Sequence, residues 1–166
     1  CRNVGAFGAK ENMPAADRVE TCEAIAAENG CTSKLTEDFM YACTGAAVIY
    51  TDVWVSMGEP DEVWAERIKL LEPYRVTEEV MAMASKDAIF LHCLPSFHDT
   101  NTTTGADIAE RFGVTEMEVT AGVFESKPSQ VLDAAEHRMQ PIQADLYATL
   151  PYLSTPWPPN MPYQQG

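Results

Sequence analysis

Two apolar runs, each followed by reactive side chains, constrain the fold of this chain most. The first run, 46–50, leads to Asp52 and Ser56, and the second, 88–91, leads to Cys93. Near-continuous apolar runs of this length are typical of strands buried on both faces of a parallel sheet. Open α/β sheets bind ligands at the carboxyl ends of their strands. We therefore expect both sets of reactive groups to face one site.

Helical patterns alternate with these runs and indicate the fold class. The pattern predicts weak or short strands at 3–8 and 117–120, and helices that begin near Pro14, Pro60, Thr77, Gly105 and Gln130, the last of them reaching Leu150. Alternating strands and helices favour a parallel sheet covered by helices. We predict an α/β fold of this kind, a partial version of the doubly wound, Rossmann-like type.

The charge of the chain excludes one class of partner. Its 166 residues include 11 Lys and Arg against 25 Asp and Glu, a formal net charge of −14. A nucleic-acid-binding surface must neutralise phosphates with basic side chains, and the sequence contains no basic block. The longest apolar runs are the length of strands, whereas a membrane helix needs about 20 apolar residues. We expect neither nucleic acid nor membrane as a partner.

The cysteines favour a reducing compartment. Their number, five, is odd and includes no Cys-x-x-Cys pair, which argues against a disulfide framework or a structural zinc site. We interpret Cys22 and Cys43 as small buried residues, and Cys93 as different because of its neighbours. A metal pair of His92 and His98 is less favoured than two ordinary histidines, because no third ligand follows at a suitable spacing. A cytoplasmic protein without metal or other cofactor is the expectation.

Composition changes near residue 150. Residues 1–150 have the length and the mixture of apolar and charged residues of one ordinary domain. After them come Pro151, Pro156, Pro158, Pro159 and Pro162, which prevent regular structure. We predict one domain over 1–150 and a Pro-rich tail over 151–166, which is either an extended strap or disordered.

Several motifs, taken in order, resemble one enzyme family. They are Asp52-Val-Trp-Val-Ser56-Met57-Gly58-Glu59, His92-Cys93-Leu94-Pro95, Glu118-Val-Thr120 and Ala135-Glu-His-Arg138-Met139. This order and spacing resemble the carboxyl-terminal, ornithine-binding domain of ornithine carbamoyltransferase, over about residues 1–150. The resemblance implies transfer of a carbamoyl group between carbamoyl phosphate and L-ornithine, giving L-citrulline and phosphate.

The first motif implies how the amino acid is bound. By resemblance, Asp52 and Ser56 grip the α-amino group of ornithine, helped by the backbone at Met57. Spacing alone leaves another interpretation open, in which Asp52 caps a helix and Ser56 fills a turn.

The other motifs imply the reacting half of the site. By resemblance, Cys93 lies against the reacting amine and carbamoyl group, and the Leu94 carbonyl accepts from the carbamoyl nitrogen, with Pro95 holding the chain extended there. Arg138 by resemblance contacts the carbamoyl oxygen. Taken singly, Cys93 is better explained as a packed thiol at a strand end, and Arg138 equally well as a solvated helix residue. We do not assign Cys93 as a covalent nucleophile.

The chain also departs from the family pattern. The phosphate-binding motifs of the family's amino-terminal domain, Ser-x-Arg-Thr-Arg and His-Pro-x-Gln, do not occur in these 166 residues. By resemblance, we expect the sequence to begin after the first strand and helix of the ornithine domain. Ala121 and Gly122 replace two acidic residues. Pro141 and Asp145 stand where the family favours helix, so we expect the last helix to be kinked or to start late.

Two classes of function follow. The first is an enzyme: the ornithine half of a carbamoyltransferase site, inactive without a carbamoyl-phosphate domain and trimeric by resemblance. The second is a non-catalytic amino-acid-binding or interaction module that descends from such an enzyme. Retention of Asp52, Ser56, Met57, Cys93 and Arg138 favours the first.

Overall fold

The computed structural model describes residues 3–56 and 58–149 of the chain. Two compact units make up the chain, Cys1–Val131 and Leu132–Gly166. Both Met57 and the predicted Pro-rich tail over 151–166 lie outside the described residues. In the part that the structure describes, no helix is long and apolar enough to cross a membrane.

Four short strands form two parallel pairs. Strand β1 (Val4–Phe7) pairs with β2 (Ser33–Thr36), and β3 (Val48–Thr51) pairs with β4 (Ile89–His92). Among the described residues, these pairs are two separate two-stranded sheets. Parallel neighbours need a long crossover connection, and helices provide it in both pairs. The predicted α/β architecture with parallel strands is therefore confirmed, and β2 is a strand that the sequence analysis missed.

Helices account for most of the remaining described chain. They are α1 (Ala16–Glu28), α2 (Phe39–Cys43), α3 (Asp61–Leu71), α4 (Glu78–Met83), α5 (Thr103–Phe112), α6 (Ala121–Phe124), α7 (Val131–His137) and α8 (Met139–Thr149), with short 3-10 turns at Lys10–Asn12 and Glu72–Tyr74.

The helix boundaries follow the sequence signals closely. Pro60 is the N-cap of α3, and the Thr77 hydroxyl caps α4 by accepting from the Val80 amide at 3.4 Å. Helix α5 ends at Gly113, whose φ of 71° lies in the left-handed region that favours glycine. These predicted boundaries are confirmed, whereas α1 begins at Ala16, after Pro14.

Two apolar clusters pack around β3 and β4. The first contains the strand residues Ile49 and Phe90 together with Phe39, Cys43, Val76, Val80, Val119, Val123, Phe124 and Val131. The second contains Trp54, Val55, Ile68, Phe97, Ile108 and Met117. Trp54 and Val55 follow β3, and Phe97 follows β4, so the segments beyond both strand ends are anchored in one cluster.

Residues 3–36, which we call the β1–β2 half, are packed much less closely. Helix α1 contains no buried residue, and the side chains of Val4 and Ile25 are 62% and 55% exposed. Cys22 is exposed, so its interpretation as a buried residue is wrong, whereas Cys43 is buried as expected. Cys31 is disulfide-bonded, which the odd cysteine count did not suggest.

The predicted strand over 117–120 is wrong. The backbone there makes one parallel bridge, between Val119 and Val76, and no ladder. Met117 and Val119 are nonetheless almost completely buried, so the apolar pattern reported burial correctly but not regular pairing.

The predicted closing helix over 130–150 is interrupted. Helix α7 ends at His137 and α8 begins at Met139, with Arg138 in a turn between them. Pro141 is the third residue of α8, in the first turn, where backbone N–H groups have no partner within the helix, so its missing donor costs nothing. The expectation that the last helix is kinked or starts late is met as a break at Arg138, because the helical segment that contains Pro141 begins only at Met139.

Candidate active site

The register of β3 and β4 brings Asp52 and Cys93 together. Thr51 and His92, the last residues of the two strands, are partners in the parallel pairing. The next residues on each strand are therefore neighbours at the carboxyl edge, and the Cys93 thiol donates to Asp52 Oδ1 at 2.7 Å. The expectation that both motifs face one site is confirmed for this pair.

Cys93 is held as a neutral thiol. Burial raises the pKa of Cys93 above its usual value, and the Asp52 carboxylate, which accepts the thiol hydrogen, raises the same pKa further. A thiolate is the nucleophilic form of cysteine. The geometry therefore agrees with a polar contact residue that orients its neighbours, and it disfavours a covalent nucleophile.

Asp52 does not cap a helix. Its Oδ1 also accepts from the Val53 amide at 2.7 Å, and the next helix, α3, begins only at Asp61. The capping interpretation of Asp52 is therefore wrong, and its carboxylate is directed to the strand ends. Ser56 lies exposed in the same loop, with its amide bonded to Glu59 Oε2 at 2.7 Å.

The segment after Cys93 turns sharply. The chain bends at Leu94 and Pro95, so the expectation that Pro95 keeps it extended is not met. The peptide bond between the two residues is cis. Leu94 is 46% exposed, and Ser96 and Phe97 are buried directly after it. The structure thus presents the Leu94 residue at the surface, beside the buried end of β4.

Sequence reasoning missed Glu118 as a site residue. This side chain and that of His92 are completely buried, with His92 Nε2 at 3.1 Å from Glu118 Oε1. The same oxygen accepts from the Phe97 amide at 2.8 Å. Glu118 therefore holds both ends of the turn that carries Cys93 and Leu94. The sequence alone does not reveal that Glu118 is buried, because an exposed glutamate at this position would give the same sequence pattern.

The loop around Ala121 and Gly122, which departs from the family pattern, has its polar groups hydrogen-bonded to Glu78 and Glu116. The Thr120 hydroxyl caps α6 and donates to Glu78 Oε2 at 3.0 Å, and Glu116 Oε1 accepts from the Ala121 amide at 2.8 Å. A Cβ atom on Gly122 would collide with the Glu78 carboxylate. The absence of a side chain at Gly122 therefore leaves room for Glu78, which with Glu116 bonds the polar groups of this loop.

The two histidines at the end of β4 and shortly after it, His92 and His98, are packed residues. His92 is buried beside Glu118, and His98 stacks on the Phe124 ring with centroids 3.6 Å apart. In the ranges 3–56 and 58–149, no group of three or more His, Cys, Asp or Glu side chains is arranged to hold a metal ion.

Arg138 belongs to the second unit, Leu132–Gly166. It lies in the turn between α7 and α8 with its side chain exposed, and its amide donates to the Ala135 carbonyl at 3.3 Å. The interpretation of Arg138 as a solvated helix residue is therefore half correct: the side chain is exposed, but the residue lies in a turn and not inside a helix. Its catalytic assignment stays a prediction.

Comparison with known proteins agrees with this geometry. The model of the aspartate/ornithine carbamoyltransferase Asp/Orn-binding domain matches residues 3–149. The chain belongs to this family. A catabolic ornithine carbamoyltransferase of Treponema denticola is 56% identical over 141 residues, which are 85% of this chain and 42% of that protein. One from Streptococcus gordonii is 52% identical over 155 residues, covering 93% of this chain and 46% of the relative.

Solved structures show the same fold. The ornithine carbamoyltransferase of Pyrococcus furiosus superposes with a TM-score of 0.70 at 28% identity, covering 88% of this chain and 48% of that one. The enzyme from Giardia lamblia gives a TM-score of 0.67, also at 28% identity, over 86% of this chain and 40% of its own. The predicted Rossmann-like α/β class is thereby confirmed. The chain spans less than half the length of the curated relatives it matches.

Proposed function

We propose that this chain supplies the ornithine half of a carbamoyltransferase site, which transfers a carbamoyl group between carbamoyl phosphate and L-ornithine to give L-citrulline and phosphate. The observation that carries the proposal is the contact between Asp52 and Cys93 at the carboxyl ends of two paired parallel strands. Membership of the family supports the reaction class. By the same resemblance, the complete protein is a cytoplasmic homotrimer that needs no cofactor.

The reaction sets requirements that these residues can meet. The side-chain amine of ornithine attacks the carbonyl carbon, a tetrahedral oxyanion forms, and the C–O bond to phosphate then breaks. Asp52, with Ser56 and the Met57 backbone, holds the α-ammonium group of ornithine and so aims the amine. The Cys93 thiol, kept neutral, contacts the reacting groups without adding a charge.

The remaining groups act on the carbamoyl end. The Leu94 carbonyl, at the exposed turn after β4, accepts from the carbamoyl nitrogen. Arg138 donates to the carbamoyl oxygen, where negative charge develops in the transition state. Glu118 and His92 hold the turn from behind, so that Cys93 and Leu94 keep their places.

The phosphate half of the site comes from an amino-terminal carbamoyl-phosphate domain. A phosphate group is usually bound by arginines and backbone amides, and the motifs that supply them in the family are absent here. We therefore expect the 166-residue chain alone to form no citrulline, and expect citrulline when the same residues are part of a protein that carries that domain.

Asp52→Asn in that longer protein tests the assignment, because it keeps the shape and removes the charge. The KM for ornithine should rise about ten- to a hundredfold, with the KM for carbamoyl phosphate nearly unchanged, since a hydrogen bond to a charged group is worth about 1.5–3 kcal/mol. Asp107→Asn, at an exposed carboxylate that pairs with Arg111 on α5, is the matched control. Unchanged ornithine dependence with lower thermal stability would show that Asp52 is structural.

The non-catalytic alternative makes a different prediction for the same protein. Titration calorimetry would then detect ornithine binding that Asp52→Asn abolishes, while assays with carbamoyl phosphate yield no citrulline under any condition. Replacement of the family's two acidic residues by Ala121 and Gly122 is the observation that keeps this alternative in view.

A further inference from the structure

One arginine ties together the two sides of the loop that follows β3. We call residues 52–59 the Asp52 loop. Arg67, on α3, donates through Nη1 to the Trp54 carbonyl at 3.1 Å and through Nη2 to Glu59 Oε1 at 3.4 Å. The second oxygen of Glu59 accepts from the Ser56 amide at 2.7 Å. A chain of polar contacts thus runs from the start of the loop, through Arg67 and Glu59, back to Ser56.

Apolar packing fixes the part of this loop at Trp54 and Val55, but not the part at Ser56 and Gly58. Trp54 and Val55 are buried in the second apolar cluster, at 6% and 2% exposure. Ser56 and Gly58 are exposed, and Gly58 has a φ of 94°, which side chains other than glycine rarely adopt. The backbone at Ser56 is therefore held by hydrogen bonds rather than by apolar burial: its amide donates to the Glu59 carboxylate, and its carbonyl accepts from the Glu59 amide at 3.2 Å.

The contact with Arg67 also determines what Glu59 can do. The side chains of Arg67 and Glu59 are 32% and 29% exposed, so their ion pair is partly shielded from water. One oxygen is bonded to Arg67 and the other to the Ser56 amide, so the Glu59 carboxylate is directed toward these two groups. Asp52 is then left as the carboxylate of the loop that is oriented toward the strand ends.

We propose that Arg67 and Glu59 are positioning residues for ornithine: they hold Ser56 in the place from which it binds the α-amino group with Asp52, and they keep Glu59 from competing for that group. This inference rests on the proposed function. Neither residue touches the substrate. Loss of either one should weaken amino-acid binding and leave the carbamoyl-phosphate side of the reaction unaffected.

Steady-state kinetics of the longer protein give the first test. Glu59→Ala and Arg67→Met should each raise the KM for ornithine about tenfold, with kcat and the KM for carbamoyl phosphate within about twofold, because one charge-assisted hydrogen bond is lost. Glu59→Gln keeps an acceptor for the Ser56 amide and should recover most of the loss. Arg67→Lys has one charged nitrogen for two acceptors and should recover less.

Two further comparisons separate positioning from general stability. The double variant of Arg67→Met and Glu59→Ala should behave like the worse single variant, because both act through one connection. Arg111→Met removes a similarly half-exposed arginine, paired with Asp107 within α5, and should leave the KM for ornithine unchanged. Equal kinetic losses in Arg111→Met would overturn the proposal.

A second readout uses the 166-residue chain and needs no catalysis. Hydrogen exchange of the Ser56 amide, followed by NMR, should accelerate about tenfold in Glu59→Ala and in Arg67→Met but not in Arg111→Met. Unchanged exchange at Ser56 would refute the connection itself. A different outcome is faster exchange at Ser56 in these variants together with a longer protein that makes no citrulline. It would support the loop contacts and contradict the proposed function.

Discussion

The residues around β3 and β4 and those of the β1–β2 half show similar local patterns but very different burial. Both contain a parallel pair of strands with a helical crossover between them. Around β4, Phe90 is completely buried, whereas in the β1–β2 half Ile25 is 55% exposed on a helix without a buried residue. Sequence periodicity determines which elements form, but burial also requires a neighbouring element on which they can pack.

Strand β3 is buried on one face and exposed on the other. Its Ile49 is 2% exposed and belongs to the first apolar cluster, whereas Tyr50, which points to the other face, is 58% exposed. Parallel sheets are usually covered on both faces. Tyr50 therefore marks a sheet face that the described residues leave largely uncovered.

The largest expected effect contrasts one buried and one exposed apolar residue. Phe90→Ala should lower the free energy of unfolding by about 3–5 kcal/mol, because it leaves a cavity in the core. Ile25→Ala on α1 should change it by less than about 0.5 kcal/mol. Urea denaturation of the 166-residue chain measures both. A loss of several kcal/mol at Ile25 would mean that the apolar side of α1 is covered in solution.

A pair of glycines sharpens the same contrast. A Cβ atom on Gly105, in the first turn of α5, would collide with the Asp99 backbone carbonyl, which cannot rotate away. Gly105→Ala should therefore cost about 1–3 kcal/mol. Gly5, in β1, has open space around the corresponding position, so Gly5→Ala should be neutral or slightly stabilising. Thermal unfolding of the two variants and the parent chain measures this difference. A lower Tm for Gly5→Ala than for Gly105→Ala would contradict it.

The smallest effect concerns two free cysteines. At pH 8, alkylation by iodoacetamide should be slower at Cys93 than at exposed Cys22, because burial and Asp52 raise the pKa of Cys93 and so reduce its thiolate fraction. Asp52→Asn removes one raising influence, so the pKa should fall and the Cys93 rate should increase about threefold. Mass spectrometry resolves both sites, with Cys22 as the internal reference. No change at Cys93 would show that Asp52 does not influence the thiol.

The sequence predicted the packed region well because its signals are strong there. Apolar runs located β3 and β4, and Pro60, Thr77 and Gly113 marked helix boundaries. Strand β2, Ser33–Thr36, was missed because its short and largely polar sequence resembles a loop. It is ordered by pairing with β1, a contact between distant residues that local pattern cannot report.

The site was predictable only as far as its residues carry recognisable chemistry. Asp52 and Cys93 follow buried strands, so their meeting could be expected from parallel pairing. Glu59 and Glu118 stand in the family motifs, but neither they nor Arg67 could be given a role from sequence, because that role lies in what they contact: a buried turn for Glu118 and a loop for the other two. The role of such charged residues can be inferred only when the structure shows which groups they contact.

The register between Thr51 and His92 has a consequence for how such a protein can change over generations. Side chains alternate between the faces of a strand, so a deletion of one residue inside β4 would either turn Cys93 away from Asp52 or move Phe90 out of the core, depending on which end of the strand keeps its register. The connection that follows the Asp52 loop, 60–88, is free of that restriction. Insertions and deletions should therefore accumulate in its loops, while the two strands tolerate substitution but not a change in length.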